Sequence, residues 1–206
     1  MTRSPKKIAL EEHYLPPDFL DYWAPSVAGL PQKAIETIQR RLIDFGDERL
    51  KSMDDTGIEI AVLSLAGPGV QGEPDTAIAT RRARESNDYL AKRMAEHPSR
   101  YRGFAHLAMQ DPKGAADELE RCVTQLGFCG ALINGQTHGH YLDEDMYSVF
   151  WERAAAINAP IYLHPADPFR TYHALEGQMQ LRRPAWEWTV ETGTHALRMI
   201  FNGTFE

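Results

Sequence analysis

The chain has two cysteines in 206 residues, no apolar run approaching a membrane span, no block of basic residues and no low-complexity tract. Each shortage excludes something. Cys122 falls in an expected helix and Cys129 near the start of the next strand, too few and too poorly placed for a disulfide framework or a thiolate metal site, so both are read as free, mostly buried thiols. A formal net charge of -7, with Arg81, Arg82 and Arg84 set among acidic and apolar residues, argues against nucleic acid or an anionic membrane as partner. Met1 to Lys7 lead straight into an apolar stretch without a signal-peptide core, so the expected location is cytoplasmic. What remains, 43% hydrophobic and 25% charged residues, is the balance of one soluble globular domain over 1–206.

Apolar runs alternate with helical patterns along the chain. The first run lies in Lys7-Ile8-Ala9-Leu10-Glu11-Glu12-His13; Pro16 and Pro17 break the backbone after it, and 18–32, with its Pro, Gly and aromatics, reads as a long loop. Helices are expected at 33–44 and 47–56, the second closed by Gly57 as its C-cap. The stretch 58–65 (IEIAVLSL) is β-branched without clean alternation, the pattern of a strand buried on both faces. There follow a helix at 75–96, a strand at 101–107, a helix at 112–126 with Pro112 suited to its first turn, a strand at 128–134, a helix at 143–158, a strand at 160–164 and a helical region at 181–202. Such alternation implies a parallel sheet with right-handed crossovers. The loops after the strands then gather on one face, where ligands bind in these folds.

Glu11 and His13 are two apart on a strand and so share a face, and a carboxylate and an imidazole converging at a strand end suggest a metal site. The run Ile161-Tyr162-Leu163-His164 also ends in a histidine, and Pro165 stops it. From spacing alone the alternative stays open: Glu11 in a surface ion pair and His13 in an ordinary hydrogen bond. Asn134, ending the fourth strand, either reaches the cavity to bind substrate or caps the loop before Gly135. Ser64 has no Gly-x-Ser-x-Gly elbow and reads as a strand-end hydroxyl. His106 either packs against the sheet or supports a ligand. His138, His140 and His173 fall in loops and are expected at the surface, His195 is read as structural, and Met94, Met109 and Met199 as core filler.

The segments KKIALEEHYL, ERLKSMDDTGIEIAVLSLAGPGVQ, RESNDYLA, FAHLAMQDP, ELERCVTQLGFCGALINGQT, IYLHPADP and ETGTHALRMIFNGTFE, in this order, resemble the amidohydrolase-related decarboxylases, the γ-resorcylate and 2,3-dihydroxybenzoate decarboxylase group. The resemblance runs over essentially the whole chain. It implies a metal-dependent (β/α)8 TIM barrel with Glu11, His13 and His164 as metal ligands, zinc first among candidate ions and manganese second. It also implies a small aromatic carboxylate as substrate, lost as carbon dioxide with protonation of the ring carbon. A glutamate in the first position, where the wider superfamily has histidine, is the variant of this decarboxylase group.

A closed barrel of this kind has eight strands and usually about 250 residues, whereas five strands are read here. The expected fold is therefore α/β, a barrel shortened to about five β/α units, from a fragment or truncated gene product. The resemblance places an assisting histidine and a proton-transferring aspartate beyond Glu206; Asp167, in HPADP, is the nearest candidate and sits in a loop. Two open sheet edges invite association, so a homo-oligomer is expected. The alternatives are a metal-dependent hydrolase of the same superfamily and an inactive homologue that binds a partner through its open edge.

Overall fold

The computed structural model describes residues 6–206. The signal-peptide reading rests partly on residues 1–5, which lie outside the described residues. Five strands, β1 (Lys7–Tyr14), β2 (Ile58–Leu65), β3 (Tyr101–Ala105), β4 (Gly130–Asn134) and β5 (Ile161–His164), form one parallel sheet in the order β1-β2-β3-β4-β5. An open doubly wound sheet would set β1 in the middle; here it is an edge.

Among the described residues seven helices connect and cover the strands: α1 (Leu20–Trp23), α2 (Gln32–Ile43), α3 (Asp47–Thr56), α4 (Thr76–Glu96), α5 (Pro112–Gln125), α6 (Ser148–Ala156) and α7 (Glu187–Phe201). Their ends follow local chemistry. Asp75 caps α4 by accepting the Ile78 N–H at 2.9 Å, and Asp111 caps α5 by accepting the Gly114 N–H at 3.0 Å, with Pro112 in the first turn where no N–H is needed. Gly57, at φ 72°, closes α3 in the left-handed conformation.

The expected elements fall in place with four differences. Residues 18–32 are not a bare loop: α1 and short 3-10 turns at Pro17–Phe19 and Ala24–Val27 bury Phe19, Trp23 and Val27. The helix expected at 143–158 begins with a separate 3-10 turn, Asp145–Tyr147. That expected at 181–202 opens with a separate 3-10 turn, Arg183–Ala185, and its α-helix starts only at Glu187, because Trp186 at φ −157° and ψ −44° leaves the helical conformation between them. Cys129 is exposed, not buried, since it precedes the β4 ladder.

The helix-facing side of the sheet carries the main core, including Ala61, Leu63, Leu65, Tyr101, Ala105, Ala131 and Ile133. The other side holds Val62, Phe104 and Leu132 with Tyr162 packed on them. In a flat sheet β1 and β5 would lie roughly 19 Å apart. The rings of His13 and His164 are 5.1 Å apart, so the sheet curls strongly and its second side is concave, as in a partly built barrel.

Candidate metal centre

Register decides which face of β1 looks into the hollow. Ala9 pairs with Ala61 and His13 with Ser64, so four residues of β1 advance while β2 advances three. The extra residue is a bulge between Ala9 and Glu12. Without it, Glu11 and His13 would fall opposite Leu63 and Leu65 and point into the helical layer. With it they stand beside Val62 and Ser64 on the concave side, while Tyr14 turns outward to Ser86.

At the other edge, β5 ends where Pro165 can no longer donate to a ladder. His164 pairs in register with Asn134 and faces inward. Glu11, His13 and His164 each offer a ligand atom within 4.8 Å of the others, the three-residue convergence that the strand ends suggested. His164 Nε2 lies 3.5 Å from Glu11 Oε1.

The second ring nitrogens are already engaged. His13 Nδ1 is 3.0 Å from Ser64 Oγ, whose hydroxyl donates onward to the Glu12 carbonyl at 3.4 Å. His164 Nδ1 lies 2.7 Å from the Pro165 carbonyl oxygen, which can only accept and so places the proton on Nδ1. Both rings thus leave Nε2 free as a lone-pair donor, and that of His164 faces Glu11. Burial pushes the His13 pKa down to about 4, the neighbouring His164 pushes the same way, and Glu11 opposes both. Burial lowers His164 too, against the pull of Glu11. Two neutral imidazoles and a carboxylate within reach of one point are a donor set that fits a divalent cation and leaves coordination positions open.

Side chains that the sequence reading passed over hold these donors. Tyr162 donates its hydroxyl to Glu11 Oε2 at 2.6 Å, and that bond raises the tyrosine pKa. Arg49, partly buried, donates to the main-chain oxygen of His13 at 2.8 Å. Tyr162 stands two residues before His164 and so on the same face, a signal available from period two.

Asn134 is buried beside His164, its main-chain N–H and C=O both bound to Gln71, while its side-chain Oδ1 and Nδ2 have no partner. The side chain therefore makes no loop cap. His106 is buried, its Nε2 accepting the Val70 N–H at 2.9 Å, and burial pushes its pKa to about 3. Its ring is bonded to the Val70 main chain and to no residue of the triad. Asp167 is held by Trp188 and Arg183 in the segment after β5. His138, His140 and His173 are exposed, and His195 is buried with Nε2 accepting from Leu142 N–H.

A cavity of about 490 Å³ opens on Glu11 and His164, walled by Pro165, Pro184, Trp188, Thr189, Thr192 and Gly193. A larger one, about 990 Å³, touches none of the triad and lies between α6, β5 and α7.

The amidohydrolase family profile matches residues 13–206. γ-Resorcylate decarboxylase of Polaromonas sp. strain JS666 is 42% identical over 97% of this chain and 63% of its own length. A crystal structure of dihydroxybenzoic acid decarboxylase from the same strain, with bound manganese and the inhibitor 2-nitroresorcinol, superposes with a TM-score of 0.87 at 43% identity, covering 95% of this chain and 60% of that one. A 2,6-dihydroxybenzoate decarboxylase complexed with 2,6-dihydroxybenzoate gives a TM-score of 0.91 at 40% identity over 97% of this chain and 63% of that one. The chain thus spans about three fifths of the length of these relatives. A profile match over nearly the whole sequence, joined to this fold and these strand ends, means that the chain belongs to the amidohydrolase family.

Proposed function

We propose that the chain carries the metal-binding part of a non-oxidative decarboxylase acting on hydroxylated aromatic carboxylic acids. The observation that supports this most directly is the convergence of Glu11, His13 and His164 on the concave face. Relatives over 40% identical are named as γ-resorcylate decarboxylases, which supports this substrate class.

In this reading Glu11 Oε1 and the Nε2 atoms of His13 and His164 hold one divalent ion. When bound, the ion supplies a Lewis acid and a template for the substrate's carboxylate and adjacent hydroxyl. The chain's own residues do the arranging. Ser64 and the Pro165 carbonyl fix the two histidine tautomers, and Tyr162 fixes the carboxylate. Asn134, a buried amide without partners, is assigned to the polar edge of the ligand, because an unsatisfied buried donor and acceptor are costly unless a ligand engages them. Pro165, Pro184 and Trp188 give one flank of the cavity an apolar lining.

Zinc is the ion that the family resemblance puts first and manganese the one bound in a solved relative, so both belong in the assay. Among the described residues no helix is long and apolar enough to cross a membrane, and we place the protein in the cytoplasm. The net charge of -7 speaks against a nucleic-acid partner, and self-association would cover the free edges of β1 and β5.

The test has two arms. The chain is titrated with Mn(II) and Zn(II), and it is fused to the portion of the Polaromonas relative that it does not cover and assayed for carbon dioxide release from 2,6- and 2,3-dihydroxybenzoate. Metal binding lost in Glu11→Ala, His13→Ala and His164→Ala, with release by the fusion, supports the reading. A metal-loaded fusion that releases none from either acid overturns it.

A further inference from the structure

Arg183 stands out in the segment between β5 and α7. It is one of three described non-glycine residues with positive φ, at 53°. That conformation is unfavourable in a residue with a side chain, and surrounding contacts must hold it. Here they do so from both ends. The Arg183 N–H donates to Glu187, a fully buried carboxylate that also accepts from Arg182 Nε at 2.6 Å. The guanidinium spans three acceptors: Asp167 Oδ2 at 3.2 Å, the Ser26 carbonyl at 2.8 Å and the Pro25 carbonyl at 3.4 Å.

These acceptors belong to different parts of the chain. Pro25 and Ser26 lie in the segment that follows β1, while Asp167 lies three residues after His164. β1 and β5 are the two outermost strands, so one side chain ties together the segments leaving both edges of the sheet. Asp167 spreads the tie further. Its Oδ1 accepts from Trp188 Nε1 at 2.7 Å, and its main-chain oxygen accepts from Gln136 at 3.3 Å. The stretch 165–167 is thereby pinned on both sides, and its first residue supplies the carbonyl that orients His164.

We propose that Arg183 is a positioning residue, a clamp that fixes the segment after β5 against the segment after β1 and so holds His164 at the distance from Glu11 that the triad requires. The positioning role rests on the metal reading above; the clamp does not. Lysine could not replace it, since three acceptors in different directions need the planar fork of a guanidinium.

The test uses the 206-residue chain and the variants Arg183→Gln, Arg183→Lys and, as a charge-matched control on the same exposed segment, Arg170→Gln. Amide hydrogen exchange is followed without metal over 17–27 and 165–185, Mn(II) affinity is measured by competition, and thermal unfolding is recorded for each. Removing charge-assisted hydrogen bonds should speed exchange in both segments by about tenfold or more in Arg183→Gln and Arg183→Lys and leave Arg170→Gln like the parent. Mn(II) affinity should fall about five- to tenfold in the two Arg183 variants at unchanged unfolding cooperativity. Exchange unchanged in 17–27 overturns the clamp, and faster exchange with unaltered affinity overturns the positioning of His164. A parent chain that binds no Mn(II) sinks the metal reading and the positioning role with it, while the exchange arm still decides the clamp.

Discussion

Tyr162 of β5 and Glu11 of β1 are 151 residues apart in sequence and joined by a 2.6 Å hydrogen bond across the hollow of the sheet. The bond connects the first strand to the last and delivers a proton donor to the carboxylate oxygen that His164 does not approach. A carboxylate held in this way keeps its other oxygen aimed at the His164 imidazole.

Tyr162→Phe keeps the ring that packs on Phe104 and removes only the hydroxyl. Glu11 is about half exposed and would then sample several rotamers. Divalent-metal affinity should weaken by about tenfold, in the range found for supporting partners of metal ligands. Competition titration reads this directly, and equal affinities in parent and variant would contradict the orienting role.

Ser64→Ala tests the other side of the site. The hydroxyl accepts from His13 Nδ1 and passes its own proton to the Glu12 carbonyl, so its loss frees the imidazole to flip or change tautomer. Because Ser64 is buried among strand atoms, alanine fits without clash and the fold should change by under about 1.5 kcal/mol. Metal affinity should fall more than stability does. If unfolding shifts strongly while metal titration does not move, the serine is a packing residue only.

The strands and helices were legible because β-branched runs, proline and glycine stops and capping aspartates all act over a few residues; Ile58–Leu65 and Asp47–Thr56 fall where the pattern places them. The triad was legible for a subtler reason. Glu11 and His13 share a face whatever the register, but only the bulge after Ala9 chooses the concave one, and no residue type announces it. Period two puts Tyr162 on the face of His164, but its partner, like the Ser26 carbonyl that Arg183 reaches, is more than 150 positions away across a curl that periodicity does not encode. Cys129 was misplaced by treating the residue before a strand as part of its buried ladder.

Gly130 marks a point where close approach excludes any side chain. Its φ is 154°, and a Cβ there would collide with the Pro160 carbonyl oxygen, the acceptor for the Ala131 N–H that starts the β4–β5 ladder. Gly130→Ala should destabilise the chain by about 2–4 kcal/mol, since a backbone atom cannot move aside as a flexible side chain can. Denaturant unfolding measures it; a midpoint shift within error of the parent would show that the strand pair can relax.

The fourth prediction concerns acid. His106 and His195 are both buried with Nε2 accepting a backbone N–H, from Val70 and Leu142, so each must remain neutral to keep its bond. Burial pushes their pKa values to about 3 and about 4, against roughly 6.5 in the unfolded chain. Above the unfolded value both states are neutral and neither histidine makes stability depend on pH. As pH falls below about 6.5 the unfolded chain takes up protons that the folded chain refuses, so stability drops, by at most about 1.4 kcal/mol per pH unit for each histidine. The loss continues until the folded pKa is reached, near 4 for His195 and near 3 for His106. Denaturant unfolding between pH 7 and 4.5 should therefore show a falling free energy, and His106→Gln and His195→Gln should each reduce that slope by about one proton's worth, whatever they do to stability at neutral pH. Variants with the parental slope would mean that these imidazoles protonate in the folded chain and that their backbone bonds yield more readily than their burial implies.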